Sequence, residues 1–145
     1  MVNRVDVFVE VSDSNISLLK VFVQKLGVAR DSFRYFNKRD FDVINNHIVT
    51  LLCYCQNEPV AYGHLDKDGD DVWLGVAVLP SFHGKGLGSN MVKKLVQIGI
   101  ENDVKRIKLA ADTQNHSAVR IYIKNGFTLE REDGLISFYE LNLEK

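Results

Sequence analysis

The sequence of 145 residues has few cysteines, no excess of charge of either sign and no long apolar run. Its two cysteines, Cys53 and Cys55, lie two residues apart in an apparent strand. Side chains at that spacing point to the same face of a strand, and so close a pair is poorly placed for a disulfide. No further cysteines or histidines stand at a metal-ligand spacing. We therefore expect two reduced structural thiols and no metal site.

Charge and hydropathy exclude two broad classes of partner. The 18 basic and 19 acidic residues give a net charge of −1, so the chain has no overall electrostatic attraction to nucleic acid or anionic membrane. No apolar stretch approaches the roughly 20 residues that span a bilayer. The first residues also lack the basic-then-apolar layout of a signal peptide. We expect a cytoplasmic protein without nucleic-acid or membrane partners.

Length and composition indicate one domain. Hydrophobic residues make up 46% of the chain and charged residues 26%, which is ordinary for a soluble globular protein. A chain of this length can bury one sizeable core. There are no internal repeats, low-complexity tracts or linkers, so we expect a single domain over residues 1–145.

The hydrophobic pattern predicts a mixed sheet with helices. Alternating apolar residues predict a strand at 5–11, and helical spacing predicts a helix from Ile16 that ends at Gly27. The later predicted elements are three hairpin-joined strands at 47–55, 60–65 and 72–78, a helix at 90–102, a strand at 107–111, a helix around 118–122 that ends at Gly126, and strands at 128–131 and 135–143. This order predicts an α/β fold, with an antiparallel meander followed by βαβ crossovers.

Three alternating glycines, Gly84, Gly86 and Gly88, lie between a predicted strand and a predicted helix. Backbone N–H groups at such a helix start form a nest that attracts phosphate. The spacing fits neither the P-loop nor the dinucleotide fingerprint G-x-G-x-x-G. Because alternating glycines lower local stability, a plain turn would not need them. The loop therefore predicts a phosphate-bearing ligand of another kind.

Two spaced motifs lie within about residues 73–127. The first is Pro80-x-x-His83-x-x-Gly86-x-Gly88, and the second is Asn115-x-x-Ala118-x-x-x-Tyr122-x-Lys124-x-Gly126-Phe127. Together they resemble the GNAT superfamily of acyl-CoA-dependent N-acetyltransferases, whose loop signature is Arg or Gln, two residues, Gly, one residue, then Gly or Ala. One departure is His83 in place of Arg or Gln, because an imidazole holds a phosphate less strongly than a guanidinium. Lys85 is a second cation in the loop.

The resemblance implies that acetyl-CoA is the co-substrate and that a primary amine attacks its thioester directly. The glycine loop would hold the pyrophosphate, and the strand before it would align the pantetheine arm through backbone hydrogen bonds. Asn115 would contact the arm from the other side. The expected coenzyme-binding residues are Val76, Ala77, Val78, His83, Gly84, Lys85, Gly86, Leu87, Gly88, Ser89 and Asn115.

Two residues are predicted to handle protons. The resemblance gives Tyr122 the role of general acid toward the departing thiolate, although a thiol pKa of about 8.5 and a tyrosine pKa of about 10 make full transfer uphill. Many relatives carry a carboxylate base on the strand before the loop, and this strand has none. His64 on the neighbouring strand is the candidate base, since histidine titrates near neutral pH. Asp66 is placed to assist it.

The segment before the meander is the candidate acceptor site. Aromatic and basic residues alternate there, which predicts Phe33, Arg34 and Tyr35 as substrate-binding residues. The alternative is a short helix over 33–36, capped by Asp31 and Ser32, that packs its aromatic rings on the core. We expect a small-molecule amine such as an amino sugar or its nucleotide. The alternatives are a protein N-terminus or lysine, or a non-catalytic CoA-binding module. Look-alikes commonly form homodimers through the C-terminal strands.

Overall fold

A computed structural model describes residues 6–27 and 33–144, and a twisted sheet is its central feature. Within those residues seven strands pair in the order β1-β2-β3-β4-β5-β7-β6. The strands are β1 (Asp6–Glu10), β2 (His47–Cys55), β3 (Glu58–Asp68), β4 (Asp71–Val78), β5 (Arg106–Asp112), β6 (Thr128–Asp133) and β7 (Ile136–Asn142). The helices are α1 (Ile16–Leu26), α2 (Leu87–Glu101) and α3 (His116–Lys124), with short 3-10 turns at Asp13–Asn15, Phe41–Asn46 and Pro80–Phe82.

The predicted α/β class and its meander with crossovers are confirmed. Strands β1 to β4 are antiparallel neighbours, and α2 connects β4 to β5 as a parallel crossover. Strand β7 lies between β5 and β6 and is antiparallel to both. Strands β5 and β6 therefore run in the same direction on either side of α3, which is the second crossover.

Two predicted elements differ from the structure. The β3–β4 hairpin is longer than its apolar residues indicate, because pairing continues to Asp68 opposite Asp71 and leaves Gly69 and Asp70 as the turn. Residues 33–36 form irregular chain and a turn rather than the predicted short helix. Their aromatic rings pack on Tyr62 of β3 instead of along a helix face. The proposed cap at 31–32 and the predicted strand start at Val5 lie outside the described residues.

The sheet separates two hydrophobic clusters. On one face α1 packs on β2 and β3, with Phe22 stacked on Tyr62 at 6.1 Å between ring centroids. On the other face α2 and α3 cover the centre of the sheet. Gly63 permits the close approach of α2, since a Cβ there would lie 2.6 Å from Met91 Cγ and 2.8 Å from Leu95 Cδ1.

The sheet parts between β4 and β5. Strands β3 and β4 pair continuously from Ala61 opposite Val78 to the hairpin turn, whereas β4 and β5 share the single registered pair Trp73 and Lys108. Beyond that pair the two parallel strands diverge. The backbone edge of 75–78 that faces β5 therefore has no strand partner in the described parts of the chain, and a wedge opens there.

The remaining expectations about chain class concern thiols and membrane spans. Cys53 and Cys55 are both buried, and they do not form a disulfide with each other. Across the described residues, none of the helices combines the length and the apolar character needed to cross a membrane.

Candidate functional site

A cleft of about 680 Å³ opens where β4 and β5 diverge. The structure brings six sequence-predicted site residues to it, from four separate parts of the chain: Phe33, Arg34, Tyr35, His64, Val76 and Tyr122. Asn46, Asp66, Trp73 and Gly75 also line it. The other predicted residues, from Ala77 and Val78 through the loop to Asn115, do not line this cleft. They lie along the end of β4, in the loop beyond it and at the start of α3.

The glycine loop, residues 83–89, joins the end of β4 to the first turn of α2. Gly84 and Gly86 adopt left-handed backbone angles, with φ of 76° and 81°. Gly86 is the N-cap of α2, and its carbonyl accepts the first helical hydrogen bond, from Asn90 N at 3.0 Å. A Cβ at either glycine would meet no atom within 4 Å. The loop is therefore an open cradle at a helix N-terminus, where unpaired N–H groups favour an anion.

His83 connects this loop to the sheet by a hydrogen bond. Its exposed imidazole lies with Nε2 2.9 Å from the carbonyl oxygen of Val78, and because a carbonyl only accepts, Nε2 is the donor. Lys85 lies over the ring of Phe82, 5.7 Å from its centroid. With histidine in place of Arg or Gln at residue 83, the side chain thus links the loop to the backbone at the end of β4.

Tyr122 reaches the cleft from α3. The start of this helix is capped by Asn115, whose Oδ1 accepts from Ala118 N at 3.4 Å. Its end is marked by Gly126, with φ of 96° as predicted, and by the Phe127 ring in edge contact with Tyr122. Burial raises the pKa of Tyr122 to about 12. The hydroxyl therefore stays protonated at ordinary pH and is able to donate a hydrogen bond.

Four polar residues, Tyr35, His47, His64 and Asp66, form what we call the polar wall. The Tyr35 hydroxyl lies 2.8 Å from Asp66 Oδ2 and 2.7 Å from His47 Nε2. A carboxylate only accepts, so Tyr35 donates its single proton to Asp66 and accepts from Nε2 of His47. His47 Nδ1 then accepts from the hydroxyl of Thr50 at 2.8 Å. The hydrogen bonds thus run in one direction toward Asp66.

Burial favours the neutral forms of the His47 and Tyr35 side chains. It lowers the pKa of His47 to about 4 and raises that of Tyr35 above its usual value, with the hydrogen bond to Asp66 as the second cause. His47 was missed by sequence reasoning. The signal that could have found it is the β2–β3 register, which sets His47 opposite Asp66 and Thr50 opposite His64.

His64, the predicted base, lines the cleft in surroundings that oppose a positive charge. It is 2% exposed, and its ring centroid is 4.3 Å from that of Tyr35 and 4.5 Å from that of His47. Burial lowers its pKa well below the usual value, and the nearby His47 and Arg39 lower it further. These surroundings disfavour the imidazolium that a general base must form.

The two arginines of the 33–39 segment already have partners. Arg34 pairs with Asp112 of β5 at 3.2 Å. The Arg39 guanidinium lies 4.3 Å from the Tyr35 ring centroid and donates to the Tyr35 carbonyl at 2.9 Å. Asp66 and Asp68 line the cleft as well. The cleft therefore carries charges of both signs, and both of these arginines are engaged with other groups of the protein.

Comparisons with known proteins agree with this geometry. The sequence profile described as the acetyltransferase (GNAT) family matches residues 7–127. A Bacillus subtilis protein named "Putative ribosomal protein bS18-alanine N-acetyltransferase" is 26% identical over 110 residues, which cover 60% of this chain and 73% of that one.

Two solved structures share the fold. A GNAT-family acetyltransferase from Streptococcus pneumoniae superposes with a TM-score of 0.82 at 15% identity, covering 97% of this chain and 100% of the other. The PaiA N-acetyltransferase of Thermoplasma acidophilum, solved in complex with coenzyme A, has a TM-score of 0.72 at 16% identity. That match covers 95% of this chain and 99% of the other.

Proposed function

The chain belongs to the GNAT family of acetyltransferases, and we propose that it transfers the acetyl group of acetyl-CoA to the α-amine of a peptide. The observation that carries the proposal is the wedge between β4 and β5, where Tyr122 and three residues of the polar wall, Tyr35, His64 and Asp66, line one cleft. The glycine loop lies beyond the same strand end. A coenzyme bound to the loop and an amine entering at the polar wall would therefore meet between them.

The coenzyme side fits an anionic group with an extended arm. Gly84 and Gly86 leave the α2 N-terminus open, so that its first N–H groups can bind the pyrophosphate. The unpaired edge of 75–78 offers backbone groups to the arm, including Val76 at the cleft. Acetyl-CoA supplies an acetyl group activated as a thioester. Coenzyme A in the Thermoplasma structure supports this assignment.

Tyr122 is the residue we assign to the departing sulfur. Its pKa of about 12 lies above the roughly 8.5 of a thiol, so complete proton transfer is uphill. A buried O–H donor nevertheless stabilises a developing negative charge by hydrogen bonding, which is stronger where water is excluded. Tyr122 therefore lowers the barrier by donating a hydrogen bond to the sulfur. The proton that the amine loses finally protonates the thiolate of the released coenzyme A.

The acceptor is proposed from two observations. The Bacillus relative is named for an N-terminal alanine, which carries an α-amine. In addition, the two arginines that could bind an anionic small molecule, Arg34 and Arg39, are engaged with Asp112 and with the Tyr35 carbonyl. Asp66 offers a carboxylate for the amine, held in place by the Tyr35 hydroxyl.

The test is an acceptor panel measured by thiol release with acetyl-CoA. The panel contains short peptides with free N-termini, the same peptides with blocked N-termini and one lysine, and small amines that include amino sugars. We expect free N-termini to be acetylated and blocked ones not. Turnover confined to lysine or to small amines would overturn the acceptor assignment. Coenzyme binding without turnover of any acceptor would overturn the enzymatic proposal.

A further inference from the structure

Tyr62 and His64 share a hydrogen bond on β3 beneath the cleft. The Tyr62 side chain is completely buried, and its hydroxyl lies 2.7 Å from His64 Nδ1. A buried hydroxyl whose proton has no acceptor is destabilising. Nδ1 is the acceptor that the described residues offer. The geometry therefore makes Tyr62 the donor and Nδ1 the acceptor.

This direction determines the tautomer of His64. A neutral imidazole has one N–H, so a ring whose Nδ1 accepts carries its proton on Nε2. A charged ring would have to donate from Nδ1 and would leave the Tyr62 proton without a partner. The lowered pKa of His64 agrees with the neutral form. A ring in this state has no lone pair on Nε2 with which to take up a proton.

Because Gly75 has no side chain, the Nε2 edge of the His64 ring can lie against it at the cleft. A Cβ at Gly75 would lie 2.5 Å from both Cε1 and Nε2 of His64, so any larger residue would displace the ring. Both residues line the cleft. Nε2 has no hydrogen-bond partner among the residues described, yet it is not sealed from solvent. The N–H is thus a donor available to a ligand.

Asp66 completes the arrangement two residues along the same strand. Residues at that spacing share a face of the sheet. Tyr35 touches both side chains, since its hydroxyl donates to Asp66 at 2.8 Å and its ring centroid is 4.3 Å from that of His64. The cleft therefore presents an N–H donor beside a carboxylate. An α-aminoacyl group carries the matching pair, a carbonyl oxygen beside an amine.

We propose that His64 binds the carbonyl oxygen next to the acceptor amine through its Nε2–H, with Tyr62 holding the required tautomer. This inference rests on the proposed function, because it names how the α-amine substrate is recognised. His64 is then a substrate-binding residue and not the general base expected from the sequence. Asp66 faces the amine, and Tyr62 is a positioning residue.

The experiment compares two acceptors in wild type, His64→Ala and His64→Gln. One acceptor is a short alanyl peptide, and the other is isopropylamine, which keeps the branched amine and lacks the carbonyl. We expect His64→Ala to lower kcat/KM about tenfold more for the peptide than for isopropylamine, as loss of one hydrogen bond predicts. His64→Gln should restore most of that difference, since an amide can accept from Tyr62 and donate to the carbonyl but cannot act as a base.

A second measurement does not depend on turnover. Imidazole nitrogen NMR of the wild-type protein, with the His64 signal assigned by its absence from His64→Gln, should show a neutral ring protonated on Nε2. Tyr62→Phe should shift that tautomer, whereas Tyr54→Phe, on β2 and outside the cleft, should not. A ring protonated on Nδ1, or equal losses for both acceptors without rescue by glutamine, would overturn the inference. Failure of the wild type to acetylate any peptide would instead overturn the proposed function.

Discussion

The glycine loop and the polar wall serve the same reaction but are built in opposite ways. The loop is a run of seven consecutive residues, 83–89, shaped by left-handed glycines and the start of α2. The polar wall collects side chains from the segment before β2, from β2 and from β3, and strand register brings them together. Residues 83–86 of the loop are exposed, whereas the wall is partly buried at Tyr35, His47 and Asp66 and fully buried at His64. Changes in the loop should therefore act on ligand binding, and changes in the wall on stability and specificity together.

The largest effect should come from Gly86→Ala in the loop. Alanine at a φ of 81° is strained by about 1–2 kcal/mol, and relaxing that strain rotates the N–H groups that form the nest. We expect coenzyme A to bind roughly 100-fold more weakly, about 2.7 kcal/mol, by calorimetry. Gly134→Ala is the matched control, because its φ is 65° and its Cβ also meets nothing within 4 Å. Equal affinity in both variants would mean that the loop is only a turn.

Tyr122→Phe tests the residue that lies between the two regions. We expect turnover to fall about 10- to 100-fold with little change in coenzyme affinity, since one donor to the departing sulfur is lost. Because the pKa of Tyr122 is about 12, the wild-type rate should show no loss from tyrosine ionisation below about pH 10. Tyr54→Phe is the control. Unchanged turnover at every pH would remove Tyr122 from the mechanism.

The contrast between the regions also explains what the sequence could predict. Seven consecutive residues with alternating glycines can be recognised as a pattern, so the loop, its helix and the left-handed Gly126 were predicted. His47 stands alone in the sequence and acquires its role only when β2 aligns it with Asp66. The contacts of His47 with Thr50, and the space above Gly75 that holds the His64 ring, depend on pairing between distant segments. No local sequence pattern specifies that pairing.

The same limit applies to electrostatics and local shape. The sequence singled out His64 as the candidate base, whereas its burial and its hydrogen bond to Tyr62 support the donor role that we propose. Residues 33–36 have the composition of a helix, yet their rings pack on Tyr62 and leave the backbone irregular. In both cases, the role of His64 and the conformation of residues 33–36, tertiary contacts decide between alternatives that the sequence leaves open.

A smaller effect should appear in the pH dependence of folding stability, to which the desolvated His47 of the wall contributes. His47 has a pKa of about 4 in the folded chain and about 6.5 when unfolded. Below pH 6.5 the unfolded chain therefore binds more protons, so the folded state loses stability as pH falls toward about 4. His47→Gln should flatten this slope in thermal melts between pH 7 and pH 4. An unaltered slope in His47→Gln would show that His47 is solvated.

The smallest effect should follow Arg34→Ala at the mouth of the cleft. The pair of Arg34 and Asp112 is half-exposed, with 56% and 35% of the two side chains accessible, and such pairs contribute about 0–1 kcal/mol. We expect unfolding free energy and the KM for peptide acceptors to change little. Lys25→Ala, which removes a similar pair with Glu58 at 3.3 Å, is the control. A KM that rises tenfold for an anionic amine would favour the small-molecule acceptor.

The point where β4 and β5 part also gives the protein an optical reporter. Its single tryptophan, Trp73, forms the one registered pair between these strands and lines the cleft, in edge contact with Phe138. Indole emission depends on the polarity and quenching of its surroundings, and the chain has no second indole to obscure the signal. Intrinsic fluorescence should therefore follow occupancy of the wedge directly, and stopped-flow mixing would resolve the order in which coenzyme and acceptor enter.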